Sequence, residues 1–95
     1  MNAFIPNDIV KSKLGTKFLI IKPKSFEPTT NSLDIIYLAF NMNLKQEATL
    51  RVSSKHPDNF MLLSRDDLLD EEKTFNIEAA KIYLNLSTLK ENANA

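Results

Sequence analysis

The chain has no cysteine, one histidine and one glycine in 95 residues. Without cysteine there is no disulfide, no thiolate zinc site and no thiol nucleophile. Nothing in it requires an oxidising compartment, so the cytoplasm is the default expectation. A single glycine rules out a Gly-x-Gly-x-x-Gly loop, a Walker-type phosphate loop and a Gly-x-Ser-x-Gly nucleophile elbow. No apolar run approaches the roughly 18–20 residues that a membrane-spanning helix needs. The opening "MNAFIPNDIV" lacks a basic stretch followed by a long apolar one, so no secretory signal is expected. Only two of the twelve basic residues are arginine, Arg51 and Arg65. That counts against nucleic-acid recognition, where arginine is the preferred fork for phosphates and guanine edges.

Ordinary globular proportions remain: 43% hydrophobic and 25% charged. The length fits one domain spanning residues 1–95, with a frayed tail at about 91–95. Twelve basic residues balance twelve acidic ones, but unevenly. Residues 1–56 hold eight of the former and four of the latter, and the rest of the chain holds the reverse. Such asymmetry suits a polyanion-binding face, or two solvated surfaces that attract each other on folding.

The hydrophobic pattern changes period near Ser64. Upstream it is two. "TKFLIIK" (16–22) places Phe18 and Ile20 on one side and Leu19 and Ile21 on the other. In "LDIIYLAFNM" (33–42), Leu33, Ile35, Tyr37 and Ala39 oppose Ile36, Leu38, Phe40 and Met42. Strands apolar on both sides are covered on both. "ATLRVSS" alternates Ala48, Leu50 and Val52 with Thr49, Arg51 and Ser53, as an edge strand does. "NLKQE" is short enough to join these last two as a hairpin. "KHPDN" reads as a turn, and "FMLL" (60–63) as a possible fourth strand. Pro23 should end the first strand, because it donates no backbone hydrogen bond.

At the N-terminus, Pro6, Asp8 and Gly15 occupy the start, first turn and stop of a short helix. Phe4 and Ile5 would pack back on it as a staple. Downstream, Ser64 and Asp67 form a capping box. Phe75, Ala79, Ile82, Leu86 and Leu89 then recur at 4-3-4-3 spacing, an amphipathic helix face. Two helices are expected, about 65–73 and 76–90, with Thr74 or Asn76 capping the second. The fold class is therefore α+β: a three- to four-stranded, mainly antiparallel sheet, with a short N-terminal helix and a C-terminal helical segment packed on it.

Chemistry is sparse. Asp66, Asp67, Asp70, Glu71 and Glu72 carry enough oxygen to hold Mg²⁺, yet acids at a helix start are explained by the dipole alone. His56 has Asp58 two residues on, but His-Pro-Asp in a loop is better read as a turn. No base, nucleophile and orienting group are paired, and no cofactor is implied, so catalysis is not expected. Lys17, Lys22, Lys24, Phe26, Arg51 and Lys55 are candidate nucleic-acid contacts, with Phe26 or Tyr37 stacking on a base. Zero net charge and the lack of an aromatic-basic repeat weaken that reading.

The excess of apolar strand surface argues for a protein partner or a homodimer completing a second covering layer. The candidate interface is Leu38, Phe40, Phe75, Ile82, Tyr83, Leu86 and Leu89. The expected function is a non-enzymatic protein-interaction module, acting by homodimerisation or by docking on a larger protein. Its size and composition match small accessory or inhibitor-type proteins of mobile elements. The alternative is a single-stranded nucleic-acid binder using the basic N-terminal half.

Overall fold

The computed structural model describes the backbone of residues 4–93 and the side chains of residues 4–85. Leu86 and Leu89 of the candidate interface lie outside the described side chains. Five strands form one antiparallel sheet. β1 (Ile9–Ser12), β2 (Lys17–Pro28), β3 (Leu33–Asn41) and β4 (Gln46–Ser53) follow one another as a meander. A 3-10 turn at Pro57–Asn59 then leads to β5 (Phe60–Leu62), which returns to pair with β1. The order is β4-β3-β2-β1-β5.

The expected N-terminal helix is replaced by β1. Val10 pairs with Phe18 and Ile9 with Leu19, and Val10 is fully buried. An isolated helix of about eight residues is marginal, because few hydrogen bonds repay its nucleation. Burying a valine side chain in a sheet contributes about 1.5–3 kcal/mol. Gly15 does need its freedom, at φ +89°, but in a hairpin turn rather than a helix stop. The Gly15 N–H donates to the Ser12 carbonyl and the Ser12 N–H to the Thr16 carbonyl, both at 2.9 Å. Asp8 stabilises the preceding turn by accepting the Ile5 N–H at 2.9 Å. Phe4 staples no helix; it lies over Tyr37, with ring centroids 5.8 Å apart.

β2 also differs from expectation. It does not stop at Pro23 but runs on to Pro28, with register shifts between Ile20 and Lys22 and between Pro23 and Ser25. The β1 pairing ends near Ile20, so from Lys22 onward β2 has β3 on one side only. A strand with a free edge tolerates proline. All residues from Lys22 to Pro28 are exposed on this projecting arm.

The predicted alternation divides the core in two. Val10, Ile20, Ile35, Tyr37, Ala39, Leu50 and Val52 form one cluster, joined by Phe4, Phe18 and Phe60. Ile9, Leu19, Phe40 and Ala80 form the other, with Met42, Leu68, Phe75 and Ile77 packed against them. Among the described residues no helical one belongs to the first cluster, yet Val10, Ile20 and Ala39 are wholly buried and Tyr37 nearly so. Phe4, Phe18 and Phe60 pack against this face. Phe18 and Phe60 meet edge to face at 6.2 Å inside. The face that the sequence leaves open to another subunit is thus buried within the single chain.

The other face is covered by the C-terminal segment. Ser64 and Asp67 make the expected capping box: the Ser64 hydroxyl donates to Asp67 Oδ2 at 2.8 Å and the Ser64 N–H at 3.2 Å. Residues 65–73 do not form one helix, however. A 3-10 turn at Arg65–Asp67 is followed by extended Leu68 and Leu69, then the single-turn α1 (Asp70–Lys73). The extended step lets Leu68 reach the core. α2 (Ile77–Ala93) begins where Asn76 Oδ1 accepts the Ala79 N–H at 3.0 Å. Among the described residues no helix is long and apolar enough to cross a membrane.

Candidate protein-docking cleft

Three elements that are distant in sequence converge on the helix-covered face. β3 supplies Phe40, the turn between α1 and α2 supplies Phe75, and α2 supplies Tyr83. Phe40 and Phe75 stack with centroids 5.5 Å apart; Tyr83 sits 5.8 Å from Phe40 and 6.2 Å from Phe75. Offset and tilted pairs of this kind add about 0.5–1.5 kcal/mol each beyond area burial. Lys45 Nζ lies 4.8 Å from the centre of the Tyr83 ring, at cation–π distance. Lys45 reaches this point from the β3–β4 turn, where its φ is +56°. Asn41 shapes that turn, its Oδ1 accepting the Asn43 and Leu44 N–H groups at 2.9 and 3.0 Å.

The aromatic trio floors an open cleft of about 340 Å³. Met42, Lys45, Leu69, Glu71 and Glu72 complete its walls. Glu72 is held twice. Its carboxylate takes the Lys17 ammonium at 2.9 and 3.0 Å and caps the Leu69 N–H at 2.8 Å. Burial disfavours its charge, but the Leu69 N–H and Lys17 outweigh it, so the Glu72 carboxyl lies below its ordinary range. Lys17 thus ties β2 to α1 beneath the cleft. Lys45 and Glu71 are left as charges of opposite sign on the rim. Such a cleft can take a branched or aromatic side chain and order the polar atoms beside it.

The candidate interface is only partly assembled here. Phe40, Phe75 and Tyr83 come together, but Phe40 is 1% exposed and serves as floor, not contact surface. Its neighbours took the space, since both faces of β3 are covered within the chain. Leu38 is half-buried outside the cleft, while Ile82 is 61% exposed beside Tyr83. Leu44 and Leu69, at 66% and 60% exposure, were not among the candidates. Their signal was present: a leucine inside a polar turn, and a second leucine directly after Leu68 in an otherwise acidic segment.

The six candidate nucleic-acid contacts do not form one surface of free cations. Lys17 is neutralised by Glu72. Arg51 Nη1 contacts Asp34 at 2.9 Å and Glu27 at 2.6 Å. The Arg51 bond holds the Asp34 carboxyl below its usual range. Lys22, Lys24 and Phe26 remain exposed along the projecting half of β2, and Lys55 is exposed in the loop after β4. The acidic run is likewise dispersed. Asp67 caps Ser64 and Glu72 pairs with Lys17. Among the described residues no three potential metal ligands converge.

Comparison with known proteins adds no relative: no protein-family model, curated protein or solved structure matches this chain.

Proposed function

We propose that the chain is a non-enzymatic protein-interaction module, a small accessory or inhibitor-type protein that docks on a larger protein. The docking site is the aromatic cleft between the β3–β4 turn, Leu69 and α2. The observation that carries this reading is the exposed Leu69 on the cleft wall, beside a preformed aromatic floor whose Tyr83 is itself 39% exposed. In a core of this size, leaving such large side chains in water forgoes about 1.5–3 kcal/mol for each one that a partner could bury. The opposed Lys45 and Glu71 supply the polar rim that gives such an anchor its orientation. The occupant is an apolar or aromatic anchor residue of the partner.

Nucleic-acid binding through Lys22, Lys24 and Phe26 is the lesser reading, because Lys17 and Arg51 are already paired with carboxylates.

One paired capture experiment tests both. Wild-type chain is used as bait beside Leu69→Asp and Lys22→Glu/Lys24→Glu, with and without nuclease. The expected result is a protein retained by wild type and by the lysine variant, resistant to nuclease, and lost from the Leu69 variant. Leu69 lines the cleft and is 60% exposed, so the fold should persist. Retention by the cleft variant, or release by nuclease, overturns the proposal.

A further inference from the structure

The sheet has three stretches of open edge, and they are not equally protected. β5 is only three residues long. The distal half of β2 carries Lys22, Pro23, Lys24 and Pro28 and two register shifts, devices that discourage edge pairing. β4 is different. Its eight residues contain no proline or glycine, and its pairing with β3 runs without a shift from Asn41–Gln46 to Asp34–Ser53. Among the described residues no strand pairs with its outer side.

The β3–β4 ladder shows which groups point outward. The Ser54 N–H donates to the Leu33 carbonyl at 3.1 Å. Backbone groups alternate along an antiparallel strand, so the even-numbered residues of β4 bond to β3. Glu47, Thr49 and Arg51 direct their N–H and C=O to the open edge. The side chains of these three residues are also exposed.

We infer that β4 pairs with β4 of a second copy, antiparallel and centred on Thr49, joining two sheets into one. This register sets Thr49 opposite Thr49, and Glu47 of each copy opposite Arg51 of the other. Each pair joins residues whose backbone groups point outward, as a hydrogen-bonded antiparallel pair requires. Shifting the register by two residues keeps the hydrogen bonds but loses both charge pairs. Glu47 makes no hydrogen bond or ion pair among the described residues. Arg51 binds Glu27 and Asp34 through Nη1, which leaves its other donors for Glu47 of the second copy. On the opposite side of the strand, Ala48 would lie against Leu50, an apolar match. The edge is thus complementary to itself, the requirement of a two-fold interface. This contact is separate from the cleft.

Light scattering coupled to size exclusion, at high micromolar concentration, tests it. Wild type is expected to run as a dimer. Thr49→Pro, which removes an outward N–H at the centre of the interface without touching the β3 ladder, is expected to run as a monomer with an unchanged circular dichroism spectrum. Glu47→Lys sets like charges opposite each other and should weaken the dimer by about tenfold in Kd. Ile82→Asp should leave it intact. A wild-type monomer overturns the inference, as does a dimer indifferent to both β4 variants or one broken by Ile82→Asp. Should Thr49→Pro fail to fold, Glu47→Lys decides alone, because that side chain is exposed and unpartnered in the single chain.

Discussion

Tyr37 is 1% exposed, and its hydroxyl accepts the Phe4 N–H at 2.9 Å. A buried phenol must find such a partner. Here the bond also fixes the N-terminal segment over the Tyr37 face of the sheet. Tyr37→Phe keeps the ring but orphans that N–H, and should cost about 1–2 kcal/mol in denaturant unfolding. Equal midpoints for the two proteins would refute the role. Gly15 makes a different kind of contribution. At φ +89°, with nothing within 4 Å of where a Cβ would stand, it is needed for conformation and not for space. Gly15→Ala should therefore cost about 1–2 kcal/mol through backbone strain, with no change in the slope of the denaturant curve. The need for a left-handed residue at Gly15 was legible in the sequence. Whether it closed a helix or a hairpin was not, because both endings ask for the same glycine.

Among elements, α2 depends on a double cap. Asn76 Oδ1 takes the Ala79 N–H, and Asn7 Oδ1, from the opposite end of the chain, takes the Ile77 N–H, both at 3.0 Å. Asn7 adopts φ +76° to do so, a conformation that asparagine tolerates better than most residues. Asn76→Ala and Asn7→Ala should each cost about 1 kcal/mol, measured by thermal or denaturant unfolding. Because both caps serve the same helix start, the double variant should fall short of the sum. Asn76 could be named from sequence as a local cap. Asn7 could not, since its partner lies seventy residues away. The first expected C-terminal helix failed for a related reason. Its local capping signal was correct, but tertiary packing drew Leu68 into the core and forced an extended step where helix had been expected.

For the whole molecule, three carboxylates link stability to pH. Arg51 lowers Asp34, and the Ser64 hydroxyl and N–H lower Asp67. Burial opposes the charge of Glu72, but the Leu69 N–H and Lys17 lower it overall. In acid the unfolded chain takes up protons before the folded one, so stability rises with pH across that window. The melting temperature should be level above about pH 5 and fall as these carboxylates protonate at lower pH. Glu72→Gln should melt lower than wild type near neutrality and converge with it in acid, where the Lys17 pair is already lost. Parallel curves across the range would show that the Lys17–Glu72 tie between β2 and α1 contributes nothing to this dependence.

Alternation determined the apolar part of β2, the two faces of β3 and the edge character of β4, because side-chain direction in a strand has period two and both apolar sets of β3 had to be covered. It did not reveal β1, whose residues read as a helix, or the extension of β2 past Pro23. The change of period near Ser64 determined that helices follow the sheet. Only the tertiary structure decided what covers each face. The return of β5 to β1 is a pairing between segments far apart in sequence that no local pattern encodes. The same holds for the cleft. Phe40, Phe75 and Tyr83 stack because β3, the α1–α2 turn and α2 are brought together, so the site exists only once the chain has closed.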